Sequence, residues 1–164
     1  MPVVSNTSPL LNLAIIDRLY LLRQQFGQIQ IPTAVLTELR VEEPLPGAAS
    51  LKEAIEAGWL RVENVTDMGL VQLLRQNLDV GEAETIVLSR QLKADWTLLD
   101  EKEGRKIARS LGLKVTGILG ILLRTWRAGE LSSVREVTDE LRLLANFRIA
   151  PTLLAQILQE TGEA

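Results

Sequence analysis

The sequence predicts an α/β domain in which a parallel sheet carries helices on both faces. Short apolar segments of strand length alternate with longer segments whose apolar residues recur at helical spacing, from the N-terminus to about residue 116. One short segment, 96–99, is almost wholly apolar, as expected of a buried parallel strand. A chain of 164 residues is long enough to fold as one domain with a substantial core.

The predicted elements follow one another in a regular order. The first strand covers residues 3–5, and Ser8 followed by Pro9 predicts the start of a helix that runs to about residue 25. Further strands are predicted at 29–32, 60–62, 96–99 and 114–116. Further helices are predicted at about 33–40, 50–57, 70–76, 82–92 and 102–111, with a loop at 42–47. Right-handed crossovers then connect the strands.

The chain after Gly117 is predicted to be helical throughout. Three segments in it carry leucines and other apolar residues at helical spacing, around residues 119–126, 141–147 and 153–158. We therefore divide the chain into an α/β domain, residues 1–129, and a helical C-terminal extension, residues 130–164, that packs on the same domain.

The composition excludes several kinds of chemistry. The chain contains no cysteine and no histidine, which excludes thiol nucleophiles, Ser-His catalysis, imidazole bases and thiolate zinc sites. Chemistry with oxygen ligands remains, and it suits Mg²⁺ or Mn²⁺. Charges interrupt every apolar run and the N-terminus lacks a signal-peptide pattern, so we expect a cytoplasmic protein with no membrane segment.

Four polar residues lie near predicted strand-to-helix junctions: Asn6, Glu38, Glu82 and Asp100. In open parallel sheets the ligand crevice borders the carboxyl ends of the strands, so these residues are expected to converge although they are far apart in sequence. Three carboxylates and an amide would together form a site for a hard cation. Taken alone, Glu38 lies beside the apolar pair Leu36 and Leu39, and a solvated helix flank is the default interpretation for such a glutamate.

Two of the acidic residues also suit a purely structural role. Asp100 has capping-box spacing with Glu103, and Glu82 has a similar relation to Asp79. Glu84 competes with Glu82 for the site, because two positions apart on a helix the side chains point to nearly opposite sides. The helical pattern alone does not choose between the two glutamates.

A cationic segment follows the last of these acidic positions. Residues 102–127 include seven basic residues and one acidic residue, in a chain whose formal net charge is −3. Lys102, Arg105, Lys106 and Arg109 lie on the polar side of the predicted helix. Such a face can hold a nucleic-acid backbone by neutralising phosphates. An ordinary solvated helix face is the alternative.

Several segments resemble the PIN-domain family in their order and spacing. They are VVSNTSPL at 3–10, IPTAV at 31–35 with Glu38, GEAETI at 81–86 and LLDE at 98–101. The segment 105–129, which includes LGLKVTG at 111–117, is similar to a bacterial and archaeal PIN subgroup of predicted nucleic-acid-binding proteins. The resemblance covers roughly residues 3–129, and it depends on the combination of segments because no single one is specific.

The resemblance implies a three-layer α/β/α sandwich and a Mg²⁺- or Mn²⁺-dependent endoribonuclease, as in the toxins of toxin-antitoxin pairs. RNA is then the substrate, and a small antitoxin protein is an expected partner. The family's acidic positions fall on Asn6, Glu38, Glu82 and Asp100, which would ligate the metal and act in catalysis. PIN relatives pair through helices, and the 46% hydrophobic content with leucine-rich helices after Gly117 therefore predicts a homodimer.

Other functions stay open at this point. Asn6 stands where the family usually has aspartate, and an amide removes a full negative charge from a site that works by charge. This favours a catalytically weak or inactive module that binds nucleic acid or protein, whereas the three remaining acidic residues favour the enzyme. A receiver-like domain with Asp100 as phosphoacceptor lacks the acidic cluster expected near the first strand.

Overall fold

A single sheet of five parallel strands forms the centre of the molecule. The computed structural model describes residues 1–164. The strands are β1 (Val3–Ser5), β2 (Ile29–Pro32), β3 (Leu60–Glu63), β4 (Trp96–Leu98) and β5 (Val115–Thr116). Their order across the sheet is β3-β2-β1-β4-β5. The winding direction therefore reverses between β1 and β4, and ligand crevices in such sheets open at this reversal, beyond the carboxyl ends of the strands.

Ten helices cover the two faces of the sheet. They are α1 (Thr7–Ile15), α2 (Tyr20–Phe26), α3 (Thr33–Leu39), α4 (Ala48–Glu56), α5 (Met68–Leu74), α6 (Val80–Leu92), α7 (Lys102–Ser110), α8 (Ile118–Arg127), α9 (Val134–Leu144) and α10 (Pro151–Thr161). A core of 25 buried apolar residues includes side chains of α1, α4, α8 and α9, and a second core of seven includes side chains of α6 and α7. The predicted three-layer α/β/α sandwich is confirmed.

The C-terminal helices pack on the same body. Val134, Val137 and Leu141 of α9 and Ile157 of α10 belong to the larger core. The division at residue 129 stays a prediction. None of the helices combines the length and the apolar character that crossing a membrane requires.

The single helix predicted from residue 9 to residue 25 is wrong. The chain forms α1 and α2 there, separated by a turn in which Asp17 has a φ of 59°. Aspartate tolerates this left-handed conformation better than most residues. Leu13 before the turn and Leu22 after it are both fully buried. The apolar spacing thus continues across the turn, which explains why the pattern predicts one helix.

Candidate functional site

Asn6 lies at the carboxyl end of the central strand. Its backbone N–H donates to the carbonyl oxygen of Leu98, at 2.9 Å, so β1 and β4 end side by side. Asn6 occupies the N-cap position of α1, although its side chain makes no capping hydrogen bond. Its side-chain oxygen Oδ1 is buried and has no hydrogen-bond partner. A buried acceptor without a donor is costly, so this oxygen is suited to a ligand that supplies positive charge.

Asp100 follows β4 and is held by donors from two other elements. Its Oδ1 accepts the backbone N–H of Ile118, the first residue of α8, at 2.8 Å, and its Oδ2 accepts the Ser8 hydroxyl at 3.0 Å. Burial raises the pKa of Asp100, while these two hydrogen bonds and the nearby Arg105 guanidinium act in the opposite direction. Asp100 therefore fixes the start of α8 against α1.

The capping role predicted for Ser8 is wrong, and the capping alternative for Asp100 is not realised. Ser8 does not cap α1, because the helix already begins at Thr7 and the Ser8 hydroxyl donates to Asp100 while accepting from Asn12 Nδ2 at 3.0 Å. Asp100 does not cap the helix that follows it, because Glu101 occupies the N-cap position of α7. Both side chains turn toward the crevice instead.

Glycine at position 117 leaves the space that Asp100 occupies. The backbone of Gly117 is extended, with φ of −105°, so no glycine-specific conformation is needed there. A Cβ at this position would lie only 2.6 Å from Asp100 Oδ1. The glycine is therefore required by the close approach of the carboxylate.

Glu82 lies in the first turn of α6, where it forms a capping box with Asp79. The Glu82 N–H donates to Asp79 Oδ1 at 2.8 Å, and the Asp79 N–H donates to Glu82 Oε1 at 3.4 Å. The side chain is buried, and Oε2 lies 3.0 Å from where a Cβ at Gly104 in α7 would sit. Burial, assisted by the Asp79 carboxylate, raises the pKa of Glu82 to about 7. This carboxylate is stabilised poorly by the protein alone, so its charged form would gain from a cation.

The competing glutamate has a different environment. Glu84 Oε1 accepts the backbone N–H of Ala34 in the first turn of α3, at 3.1 Å. It thereby satisfies one of the free N–H groups at that helix start. Glu84 thus links α6 to α3, whereas Glu82 faces α7, which follows Asp100 in the chain. Glu82 is the better candidate for a site that includes Asp100.

Glu38 reaches from α3 to the first turn of α1. Its Oε2 accepts a hydrogen bond from the Thr7 hydroxyl, and its carboxylate lies directly against Gly81, where a Cβ would have no room. Thr7 is the residue before Ser8, so Glu38 and Asp100 are bound by consecutive hydroxyls. Glu38 therefore borders the first turn of α1 and the start of α6, and it is not a solvated helix flank.

The carboxylates of Glu38 and Asp100 accept hydrogen bonds from the first turn of α1, whereas Glu82 faces α7, and the three do not form a compact cage. No group of three or more acidic side chains is close enough together to hold a metal ion. Mg²⁺ usually binds proteins through one or two carboxylates and keeps several waters, so a smaller set of protein ligands suffices. The available donors are all hard oxygens, and Asn6 Oδ1 is an acceptor without a partner. The residues present thus fit a hard divalent cation in donor type. The assignment of all four residues as ligands stays a prediction.

The four basic residues of α7 separate into two environments. Lys102, Lys106 and Arg109 are exposed, while Arg105 is half-buried and approaches Gly117 and Asp100. None of the four forms an ion pair. Arg105 is therefore the one that lies at the crevice, and the other three form a cationic surface on the same helix.

Some features of the site could not be found by sequence reasoning. Asn12 completes the hydrogen-bond chain to Asp100 through Ser8, and Gly81, Gly104 and Gly117 provide space for the three carboxylates. Only tertiary structure shows that each glycine faces an acidic residue from another element. The sequence shows that these positions are glycine, but it does not show why a larger residue would not fit there.

Comparison with protein families gives a match over nearly the whole chain. A family model described as a PIN domain matches residues 2–163. The match includes α9 and α10 as well as the sheet and its helices. No curated protein and no solved structure is detectably similar to the chain.

Proposed function

Because the chain belongs to the PIN-domain family, whose fold is that of a nuclease, we propose that it is a metal-dependent endoribonuclease that hydrolyses RNA phosphodiester bonds. One observation carries the proposal most directly. Asn6, whose Oδ1 is buried and unpartnered, bonds through its backbone N–H to Leu98 at the end of β4, two residues before Asp100. This is the edge of the sheet at which ligands bind in folds of this topology.

In this proposal Asp100, Glu82, Glu38 and Asn6 hold Mg²⁺ or Mn²⁺, directly or through water. When bound there, the ion would polarise a phosphate oxygen and lower the pKa of water for in-line attack. Ser8 and the Ile118 N–H keep the Asp100 carboxylate in one orientation. Arg105 lies where it can bind a phosphate next to the reacting one, and Lys102, Lys106 and Arg109 extend the binding surface for the RNA backbone.

RNA cleavage tests this function. Purified protein is incubated with a labelled RNA in Mn²⁺, in Mg²⁺ and in EDTA, and the variant Asp100→Asn is compared with Asp139→Asn. Asp139 is an exposed residue of α9 in a long surface ion pair, at 3.9 Å from Arg142, so its variant is a matched control. We expect cleavage that needs the metal, is lost in Asp100→Asn and persists in Asp139→Asn. Cleavage that is equal in both variants would show that the activity lies elsewhere or in a contaminant.

A toxin role with an antitoxin partner is the finer form of the proposal, and it is supported by the resemblance alone. Induced expression in a bacterial host tests it. We expect the wild-type chain to arrest growth and Asp100→Asn to be harmless, because the toxicity would come from RNA cleavage. Growth arrest by both would mean that toxicity does not depend on this site.

A homodimer is the expected assembly. Leu143 and Leu144 at the end of α9 are 81% and 63% exposed, and covering them would remove apolar surface from water. Light scattering should then return about twice the chain mass of 18.2 kDa. A mass equal to that of one chain at micromolar concentration would refute the dimer.

A catalytically weak binding module is the second candidate function, and Asn6 favours it. The amide supplies an oxygen but no charge, so metal binding would be weaker than in a site with four carboxylates. In that case RNA would bind without being cleaved, and Asn6→Asp would be needed for activity.

A further inference from the structure

A cleft of about 330 Å³ opens beside Asp100, and most of its lining takes no part in the chemistry proposed above. Its lining comes from the start of α8, from residues 147–150 and from α10. Six large apolar side chains contribute to it: Leu119, Leu123, Phe147, Ile149, Leu153 and Ile157. Ligand sites in proteins commonly have volumes of about 300–1,000 Å³, so this cleft has room for one small organic group.

Two unpaired guanidinium groups accompany this apolar lining. Arg105 and Arg148 both line the cleft, and neither forms an ion pair. Arg105 Nε is buried without a hydrogen-bond partner, and Arg148 is exposed. The one carboxylate of the cleft, Asp100, already accepts hydrogen bonds at both oxygens. The cleft therefore favours a ligand that joins an anion to a flat apolar group.

We propose that this cleft holds one unstacked nucleotide of a single-stranded RNA, adjoining the phosphate that lies at Asp100. The proposal rests on the proposed function and names the substrate class of the same site. The phosphate of this nucleotide binds between Arg105 and Arg148, and its base lies against Phe147 and Leu153. A base that is paired and stacked in a duplex cannot enter a concave cleft of this size, so the site selects single strands.

The first test measures RNA binding in the absence of cleavage. Fluorescence anisotropy with a short labelled single-stranded RNA in EDTA compares Arg148→Ala with Arg23→Ala. Arg23 is also exposed and also without an ion pair, but it lines a different cleft, next to Trp59 at the opposite ends of the strands. We expect Arg148→Ala to weaken binding about tenfold. It should also lower the slope of log affinity against log salt by about 0.7, whereas Arg23→Ala should change neither quantity.

The second test probes the apolar wall with a matched pair of leucines. Leu153 lines the cleft and is 43% exposed, whereas Leu73 in α5 lies outside it and is 59% exposed, so glutamate is compatible with folding at both positions. Both variants change the net charge equally. We expect Leu153→Glu to weaken binding about tenfold, because it places a carboxylate where the nucleotide binds, and Leu73→Glu to have little effect.

The outcomes separate this inference from the function on which it rests. Loss of binding in both cleft variants but in neither control supports it, as does tighter binding of the single strand than of the same sequence as a duplex. Equal affinities of cleft and control variants, no measurable binding by the wild type, or equal affinity for duplex would overturn it. If the cleft binds a protein segment instead, the cleft variants and the control variants would bind RNA with equal affinity. The wild-type protein could still cleave RNA in a metal-dependent way while the cleft and control variants bind RNA equally. That combination would support the ribonuclease function and refute the nucleotide site in the cleft.

Discussion

Replacing Gly117 by alanine tests whether the position of Asp100 controls activity. The new Cβ would lie 2.6 Å from Asp100 Oδ1, which is closer than such contacts allow, so the carboxylate must move. That movement weakens the 2.8 Å hydrogen bond from the Ile118 N–H. A hydrogen bond to a charged group contributes about 1.5–3 kcal/mol. Alanine recovers about 0.4–1 kcal/mol by restricting the unfolded chain. We therefore expect a net destabilisation of about 1–2 kcal/mol.

The effect on activity should exceed the effect on stability. A misplacement of about 1 Å at a catalytic group can lower a rate about 100-fold, so the smaller shift here should cost about 10–100-fold. Urea unfolding and Mn²⁺-dependent RNA cleavage measure the two effects. Gly69→Ala in α5 is the control, because its Cβ would make an ordinary contact at 3.6 Å. If Gly117→Ala cleaves RNA at the wild-type rate, the position of Asp100 does not control the chemistry.

Three further predictions concern charge. Asn6→Asp should tighten Mn²⁺ binding and raise cleavage, because it adds a negative charge at the position where the family usually has aspartate. Calorimetry on both proteins measures the Mn²⁺ affinity. Equal or weaker affinity in the variant would show that the amide is already adapted to the site. The pKa of Glu82 in the folded protein is about 7, above its usual 4.5. The metal-free protein should therefore lose stability as the pH rises from 4.5 to about 7. Urea unfolding across these pH values should find a smaller loss in Glu82→Gln. Glu163 accepts the N–H of Val134 at 3.0 Å and the Ser133 hydroxyl at 2.6 Å, so Glu163→Ala should cost about 1 kcal/mol at neutral pH. Burial acts to raise the pKa of Glu163, but the hydrogen bonds outweigh it and lower this pKa. The difference in free energy of unfolding between the wild type and Glu163→Ala should therefore disappear as the pH falls below the usual range of a glutamate. A difference that stays constant with pH would contradict this prediction.

The alternation of strands and helices was predictable because the strands are short and contribute buried apolar residues, and helices with an apolar face follow them. The predicted strands agree with the observed ones to within one residue, and the sandwich follows from their connections. The break between α1 and α2 was not predictable, since buried leucines continue at helical spacing on both sides of Asp17. Local spacing does not report a turn that leaves the core pattern unchanged.

The candidate site was predictable in position more than in detail. The capping box of Glu82 with Asp79 involves neighbours three residues apart, so the sequence contained the necessary information. The partners of Asp100 are 92 and 18 residues away, and those contacts depend on which strands are neighbours in the sheet. Glu84 illustrates the same limit, because its contact with Ala34 spans 50 residues and decides which glutamate faces α7.

Locating Mn²⁺ by anomalous diffraction tests the central claim most directly. That claim is one metal site at the carboxyl ends of β1 and β4, with Asp100 and Asn6 among its ligands. Crystals grown in millimolar Mn²⁺ should show an anomalous peak at coordination distance, about 2.0–2.6 Å, from an Asp100 oxygen, with Asn6 Oδ1 bound directly or through one water. The same peak should be absent in crystals of Asp100→Asn. A Mn²⁺ ion bound away from this crevice, or a peak that is unchanged in the variant, would contradict the account.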